Sequence, residues 1–205
     1  MPSPLAPSAP SFGAMVRRDW KNPPNLVTAI RMVGTLGLPP LVASPVHKKK
    51  VAGVILFAVL AATDKLDGWM AKKIYHSTDL GKMLDPLVDK ELIVVTLLSL
   101  LADAKRRKDV VMAAVLTVAT AVLLVREVAV ARLKLDAQRR DQKVESAIQS
   151  GRVSMVLQSV ATGALLMPSN SPAVRKGKFA LLAAAVGASM YSWREYYKLY
   201  HTPRP

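Results

Sequence analysis

The chain contains no cysteine, which excludes disulfides, thiol nucleophiles and thiolate metal ligands. That absence does not fix a compartment, because a membrane protein facing the cytoplasm needs none of these. Its three histidines, His47, His76 and His201, are isolated and read as surface residues without a role. No segment alternates with the period of a strand, and no stretch repeats internally. Residues 1–15, MPSPLAPSAPSFGAM, have neither a basic start nor an apolar core, and read as a disordered tail with no cleavable signal peptide. Acidic residues are few, 14 against 29 Lys and Arg, for a formal charge of +15. A basic chain of this size could bind nucleic acid, but such proteins keep their apolar residues for one core, whereas here they come in long runs. No nucleic-acid partner is expected.

What is present instead is membrane-length hydrophobicity. Residues 16–22, VRRDWKN, read as a segment lying on an anionic lipid surface, with a solvated linker as the competing reading. Residues 25–45 are apolar except for Arg31 and form a first span, which Pro39 and Pro40 kink or end early. Residues 47–50 are a basic loop. The uncharged run 51–63 has 13 residues, about 20 Å of helix, against the roughly 30 Å of a hydrocarbon core. A second span must therefore take in Asp64, Asp67 and Trp69. By the same reasoning the run 92–102 requires a third span that begins near Gly81 and contains Asp85 and Asp89. Ser77, Thr78 and Asp79 supply N-cap candidates for it, so the second and third spans form an antiparallel pair joined by a short turn.

A fourth helix starts at residue 110, buries Arg126 and Glu127 near its end and extends to about Leu133, followed by a polar loop over 134–150. A fifth covers 153–174, and a sixth 179–193, with Tyr191, Trp193, Tyr196, Tyr197 and Tyr200 as an aromatic belt at its exit. The expected fold is all-α: a polytopic membrane protein with six transmembrane helices and an N-terminal interfacial segment, residues 16–205 forming one domain. Small residues such as Gly163, Ala164, Ala183 to Ala185 and Gly187 read as helix-packing positions and a candidate dimer face. Placing the Asp end, both termini and the 134–150 loop on one side gives that side 15 basic residues against 10 on the other. The positive-inside rule then puts the Asp end in the cytoplasm.

Carboxylates at membrane depth are expensive and functional by default. Asp64, Asp67, Gly68 and Ala71 recur at i, i+3, i+4 and i+7, and Gly81, Asp85 and Asp89 at i, i+4 and i+8, so each set shares one helix face. Four like charges in a poorly hydrated place repel and raise one another's pKa values unless cations neutralise them. An all-oxygen donor set favours Mg²⁺ or Mn²⁺ over Zn²⁺. A structural ion-pair network with Lys65, Lys72, Lys82 and Lys90 is the competing reading, and it gives the adjacent glycines no purpose.

The pattern Asp64-x-x-Asp67-Gly68-x-x-Ala71-Lys72, eight residues, Gly81-x-x-x-Asp85-x-x-x-Asp89 resembles the signature of the CDP-alcohol phosphotransferases, integral membrane enzymes of phospholipid synthesis. Seven of the eight fixed positions agree; Lys72 stands where the family has Arg, keeping the charge and losing the planar fork. NPPNLVTAIR at 22–31, Arg126-Glu127, and Gly151-Arg152 with Gln158 are similar to the branch that makes phosphatidylglycerophosphate. The resemblance implies two divalent metals held by Asp64, Asp67, Asp85 and Asp89, with Asp89 also the general base. It implies close nucleotide approach at Gly68, Ala71, Lys72 and Gly81. Its substrates would be CDP-diacylglycerol from the membrane lipid and glycerol 3-phosphate, the enzyme a homodimer in a bacterial cell membrane. Arg126, Lys134 and Arg152 are the candidates for the acceptor phosphate. Arg139, Arg140 and Lys143 are weaker ones, for which a solvated charge run is the competing reading. Branches that use phosphatidylglycerol or inositol phosphate as acceptor remain open, as does a metal-ion transporter from a different class.

Overall fold

A computed structural model describes the backbone of residues 23–73, 79–139, 148–169 and 171–201, and the side chains of 25–63, 90–137, 148–169 and 171–200. The expected tail and interfacial segment, and the N-cap candidates Ser77 and Thr78, lie outside the described residues. Within them the chain is helical throughout: α1 Pro23–Thr35, α2 Leu38–Val42, α3 His47–Lys73, α4 Asp79–Arg106, α5 Val110–Arg139, α6 Gln149–Leu166 and α7 Pro172–His201. No strand occurs among the described residues.

The first apolar run is two helices. Pro39 and Pro40 lack the N–H that a continuing helix would need, so α1 stops at Thr35 and α2 restarts with the prolines in its first turn. Gly34 and Gly37 flank the break where α3 comes close. A Cβ at Gly34 would lie 3.0 Å from a Leu60 methyl, and one at Gly37 3.3 Å from Leu56. Four other boundaries differ from the sequence reading. The basic residues 47–50 form the first turn of α3, because Lys50 is paired with Asp103 of α4 at 2.5 Å. Helix α5 continues to Arg139, which places Lys134 on a helix instead of in a loop. Helix α6 starts at Gln149 and ends at Leu166, so Gly151 and Arg152 lie in its first turn. Helix α7 starts at Pro172 and runs to His201, well beyond 179–193, since charged side chains at its ends do not interrupt backbone pairing.

The turn between α4 and α5 explains itself locally. Lys108 adopts φ 57°, its N–H donates to the Lys105 carbonyl, and the Asp109 N–H reaches the Ala104 carbonyl at 3.0 Å. This is the paired closure of a Schellman motif. Asp109 then caps α5 by accepting the Met112 N–H at 3.0 Å.

Helices α1 and α2 lodge against both α3 and α4, α5 lies against α4 and α7, and α6 packs on α7, α3 and α4. Leu97, Leu116, Leu123, Leu165 and Leu182 centre one apolar cluster; Leu38, Phe57, Leu60 and Leu92 centre another. A third joins Val130 and Ala137 to Tyr196 and Tyr200, whose rings stack with centroids 6.3 Å apart. The expected aromatic belt is thereby split. Tyr191 and Tyr197 face outward, while Tyr196 and Tyr200 are core residues. Of the small-residue positions, Gly163 packs against Phe57 and Ala185 is buried, whereas Gly187 has open space beside it.

Polarity is distributed inside out. On α1, Asn25, Thr28, Arg31 and Thr35 are buried while Leu26, Ile30 and Val33 are exposed. Ser99, Thr120, Ser154, Thr162, Ser189 and Ser192 are likewise interior, and valines such as Val110, Val118 and Val125 line the outside. Several interior hydroxyls close on their own helix, as Thr35 does on the Arg31 carbonyl at 2.9 Å and Thr96 on Leu92 at 2.6 Å. An apolar exterior of this extent has no use in water and suits lipid. Among the described residues, two stretches are long and apolar enough to cross a membrane, Asn25–Val42 and Val110–Ala137.

Asp103 holds the end of the bundle formed by the start of α3 and the end of α4. Burial alone would raise its pKa, but hydrogen bonds from Lys50 and Arg106 and the charges of Lys50 and Arg107 outweigh burial and hold the carboxyl below its ordinary value. A depressed carboxylate stabilises the fold above the ordinary carboxylate range and loses that contribution as the pH falls through its folded pKa. Asp103→Asn should therefore lower the thermal midpoint in detergent at pH 7, and the gap from the parent protein should narrow below about pH 4. Lys108→Gly should do the opposite, adding about 1 kcal/mol by removing the left-handed penalty, read as a raised midpoint in the same melt.

Candidate active site

The motif aspartates lie in two helices whose ends meet at one end of the bundle. Asp64, Asp67, Gly68, Ala71 and Lys72 fall in the second half of α3, which ends at Lys73. Gly81, Asp85 and Asp89 fall in the first half of α4, which begins at Asp79. Both sets are helical, so the i, i+3, i+4 and i+4, i+8 spacings apply to the backbone as it stands. The side chains of these eight residues lie outside the described residues. Among those described, no three His, Asp or Glu side chains gather as metal ligands.

Next to the motif, a polar network crosses the interior from α4 through α5 to α6 and α7. Lys90, the residue after Asp89, pairs with Glu127 of α5 at 2.6 Å. Glu127 also accepts a hydrogen bond from the Arg126 guanidinium. Arg126 is 6% exposed; its Nε donates to the Ser189 carbonyl at 3.3 Å and an Nη to Ser192 Oγ at 2.7 Å. Its neighbour in the network, Gln158, donates to Ser154 Oγ at 3.0 Å and Ser189 Oγ at 3.3 Å.

The three acceptor-phosphate candidates thus have different surroundings. Arg126 is occupied with protein groups and ties α5 to α7. Lys134, two turns further along α5, is half-buried with its ammonium 5.2 Å from the centre of the Tyr196 ring, a cation–π contact. Arg152 is exposed in the first turn of α6. Beside it Gly151 allows the two helices to touch: a Cβ there would lie 3.3 Å from the Tyr196 hydroxyl and 3.5 Å from Ser192 Oγ. The same Tyr196 hydroxyl accepts the Ile148 N–H at 3.2 Å, capping the start of α6. Of the weaker candidates, Arg139 ends α5, and Arg140 and Lys143 lie outside the described residues.

Sequence reasoning passed over Ser154, Ser189, Ser192, Lys90 and Tyr196 as parts of this network. Ser154 with Gln158 at i+4, and Ser189 with Ser192 at i+3, were visible signals: polar pairs at helical spacing inside apolar runs.

An all-helical bundle with hydroxyl, amide and guanidinium groups among its buried residues and many exposed aliphatic ones, carrying an acidic motif on two consecutive helices, defines a helical protein of membrane type. The sequence profile of the CDP-alcohol phosphatidyltransferases matches residues 21–191, and the chain belongs to that family. It is 34% identical over 113 residues to a CDP-diacylglycerol–glycerol-3-phosphate 3-phosphatidyltransferase of Pseudomonas fluorescens, covering 55% of this chain and 54% of the relative. Over 139 residues it is 30% identical to a probable phosphatidylglycerophosphate synthase of Mycobacterium tuberculosis, covering 67% and 60%. A CMP-forming cardiolipin synthase of rice is 27% identical over 194 residues, covering 83% and 56%. The chain spans about half the length of the curated relatives it matches.

Arg126→Ala should destabilise the protein by about 3 kcal/mol, because it leaves Glu127 with Lys90 alone and takes the guanidinium from the Ser189 carbonyl and the Ser192 hydroxyl. Ser192→Ala, which removes one hydrogen bond to a charged group, should destabilise it by about 2 kcal/mol. Thermal unfolding in detergent orders the two, and unchanged midpoints would remove the anchoring role.

Proposed function

We propose that the chain transfers the phosphatidyl group of CDP-diacylglycerol to the hydroxyl of sn-glycerol 3-phosphate, releasing CMP and phosphatidylglycerophosphate. The observation that carries this reading is the family match over 21–191, which includes the whole aspartate motif on the facing ends of α3 and α4. The names of the bacterial relatives supply the acceptor. We take the protein to cross the membrane six times, with α1 and α2 together as the first span and the aspartate end cytoplasmic, as the inside-out polarity favours.

The donor set fits hard cations: four carboxylates, no cysteine in the chain and no histidine at a helical spacing from them. Asp64, Asp67, Asp85 and Asp89 would hold two Mg²⁺ or Mn²⁺ ions, which when bound neutralise the diphosphate and ease departure of CMP. Gly68, Ala71 and Gly81 leave room for the nucleotide, and Lys72 offers it a point charge in place of the usual fork. Asp89 takes the proton of the acceptor hydroxyl as its oxygen forms a bond to the lipid-side phosphorus. The bond from that phosphorus to the CMP oxygen breaks, and CMP leaves with the electron pair. Lys134 and Arg152, at the same end of the bundle, would bind the acceptor's phosphate; Arg126 would position α5 and α7 around it.

A second reading has its own support: the cardiolipin synthase relative aligns over 83% of this chain, so phosphatidylglycerol is the rival acceptor. Purified protein with Mg²⁺ and CDP-diacylglycerol should release CMP with glycerol 3-phosphate and much less with phosphatidylglycerol or inositol phosphate; the reverse preference overturns the assignment. Chelation of the metal should abolish release. Asp89→Asn should lower kcat by about 10²-fold or more, Lys72→Arg should stay within severalfold of the parent, and Arg152→Gln should raise KM for glycerol 3-phosphate.

A further inference from the structure

At the end of the bundle away from the aspartates there is a second opening that this reaction does not use. A cavity of about 300 Å³ lies where the starts of α3, α5 and α7 meet the ends of α4 and α6. Asp85 and Asp103 are 18 residues apart on α4, about 27 Å of helix, so the cavity sits roughly one hydrocarbon thickness from the motif. Its floor is apolar, built by Leu100, Leu116, Leu165 and Leu166. Its rim carries Lys50, Arg107, Arg175 and Lys178 against two carboxylates, Asp103 and Asp109.

Both carboxylates are already engaged. Asp103 receives Lys50 at 2.5 Å, Arg106 at 2.6 Å and Arg107 at 2.9 Å. Asp109 receives Arg175 at 2.9 Å and caps α5. Lys178 differs from the other cations. It is 9% exposed, it donates to the Met167 carbonyl, and it forms no ion pair with a described carboxylate. An ammonium has three donors, and a carbonyl takes one of them without balancing the charge. The Lys178 ammonium borders the cavity with charge that no described carboxylate balances, which favours an anion in that space. Arg175 stands one turn earlier on α7 and keeps a 42% exposed side chain toward the rim.

We propose that this cavity binds a phosphate ester, with Lys178 and Arg175 contacting the phosphate and the leucine floor taking the attached carbon chain. The volume is at the lower end for small-molecule sites and matches a headgroup-sized ligand. The phosphate is carried either by the headgroup of an anionic lipid or by a free soluble ester. The lipid source rests on the membrane reading above and the soluble source does not.

The full chain in neutral detergent is titrated in separate arms with short-chain phosphatidylglycerol and with inorganic phosphate, and binding is read by calorimetry or by native mass spectrometry. In at least one arm, Lys178→Gln should weaken binding tenfold or more and Arg175→Gln severalfold, while Arg152→Gln at the opposite end changes it less than twofold. Loss confined to the lipid arm identifies a headgroup site, and loss in the phosphate arm a soluble-ester site. The proposal is overturned if neither ligand binds the parent protein, if Lys178→Gln and Arg175→Gln bind as the parent does, or if Arg152→Gln abolishes binding. Arg175→Gln gives up a part-exposed ion pair with Asp109, a smaller loss than that of a buried lysine, so it decides the matter if Lys178→Gln does not fold. CMP release is not the readout, so failure here leaves the transferase reading standing, and failure of that reading leaves this one.

Discussion

A guanidinium that is almost fully buried in an apolar bundle has to find partners within the protein, and those found by Arg126 govern how the helices meet. It bonds Glu127 on its own helix and Ser189 and Ser192 on α7. Glu127 in turn reaches Lys90 on α4, and Gln158 extends the network to α6. Four helices are thereby fixed in rotation about their axes. Leucines and valines could pack in several rotations at similar energy, whereas a buried charge left unpaired would cost several kcal/mol. Gly151 matters for the same reason, since α6 and α7 must touch for the Tyr196 hydroxyl to cap Ile148.

The inside-out polarity follows from the same constraint. With serine, threonine, asparagine and arginine inside and valine and isoleucine outside, the described helices bond many of their polar groups to one another, as a chain in lipid must. The motif lies toward one end of the long helices, and the Lys90–Glu127 pair joins that end to the buried network. The opposite end is closed differently, by Asp103 with its three basic partners and by the cap at Asp109, and it encloses the cavity with Lys178 at its rim.

The existence of every long helix was legible in the apolar runs, and the position of the aspartates within helices followed from runs too short to span alone. Boundaries were less legible, because charge was taken to mark a loop. The lysines at 48–50 and Lys134 are helical all the same: Lys50 has Asp103, and Lys134 has the face of Tyr196. The aromatic belt was misjudged for a related reason. Tyr196 and Tyr200 differ from Tyr191 and Tyr197 only in which side of α7 they occupy, and spacing does not reveal which side meets α5. Arg126 was rightly singled out as an anomalous charge, but its engagement with Ser189 and Ser192 depends on residues more than 60 positions away.

The sequence by itself determined the family and the helical setting of the acidic motif. Helical periodicity and membrane length are local properties, and carboxylates at i, i+3 and i, i+4 share a face wherever the helix goes. Only the tertiary structure decided which charges are free to meet a ligand and which are used to hold helices together. That depends on contacts between distant segments, and a buried cation bonded by its neighbours cannot be told in sequence from one awaiting a phosphate. Arg126 is bonded by Glu127, Ser189 and Ser192. Lys178, which the sequence reading never singled out, has the surroundings of the second.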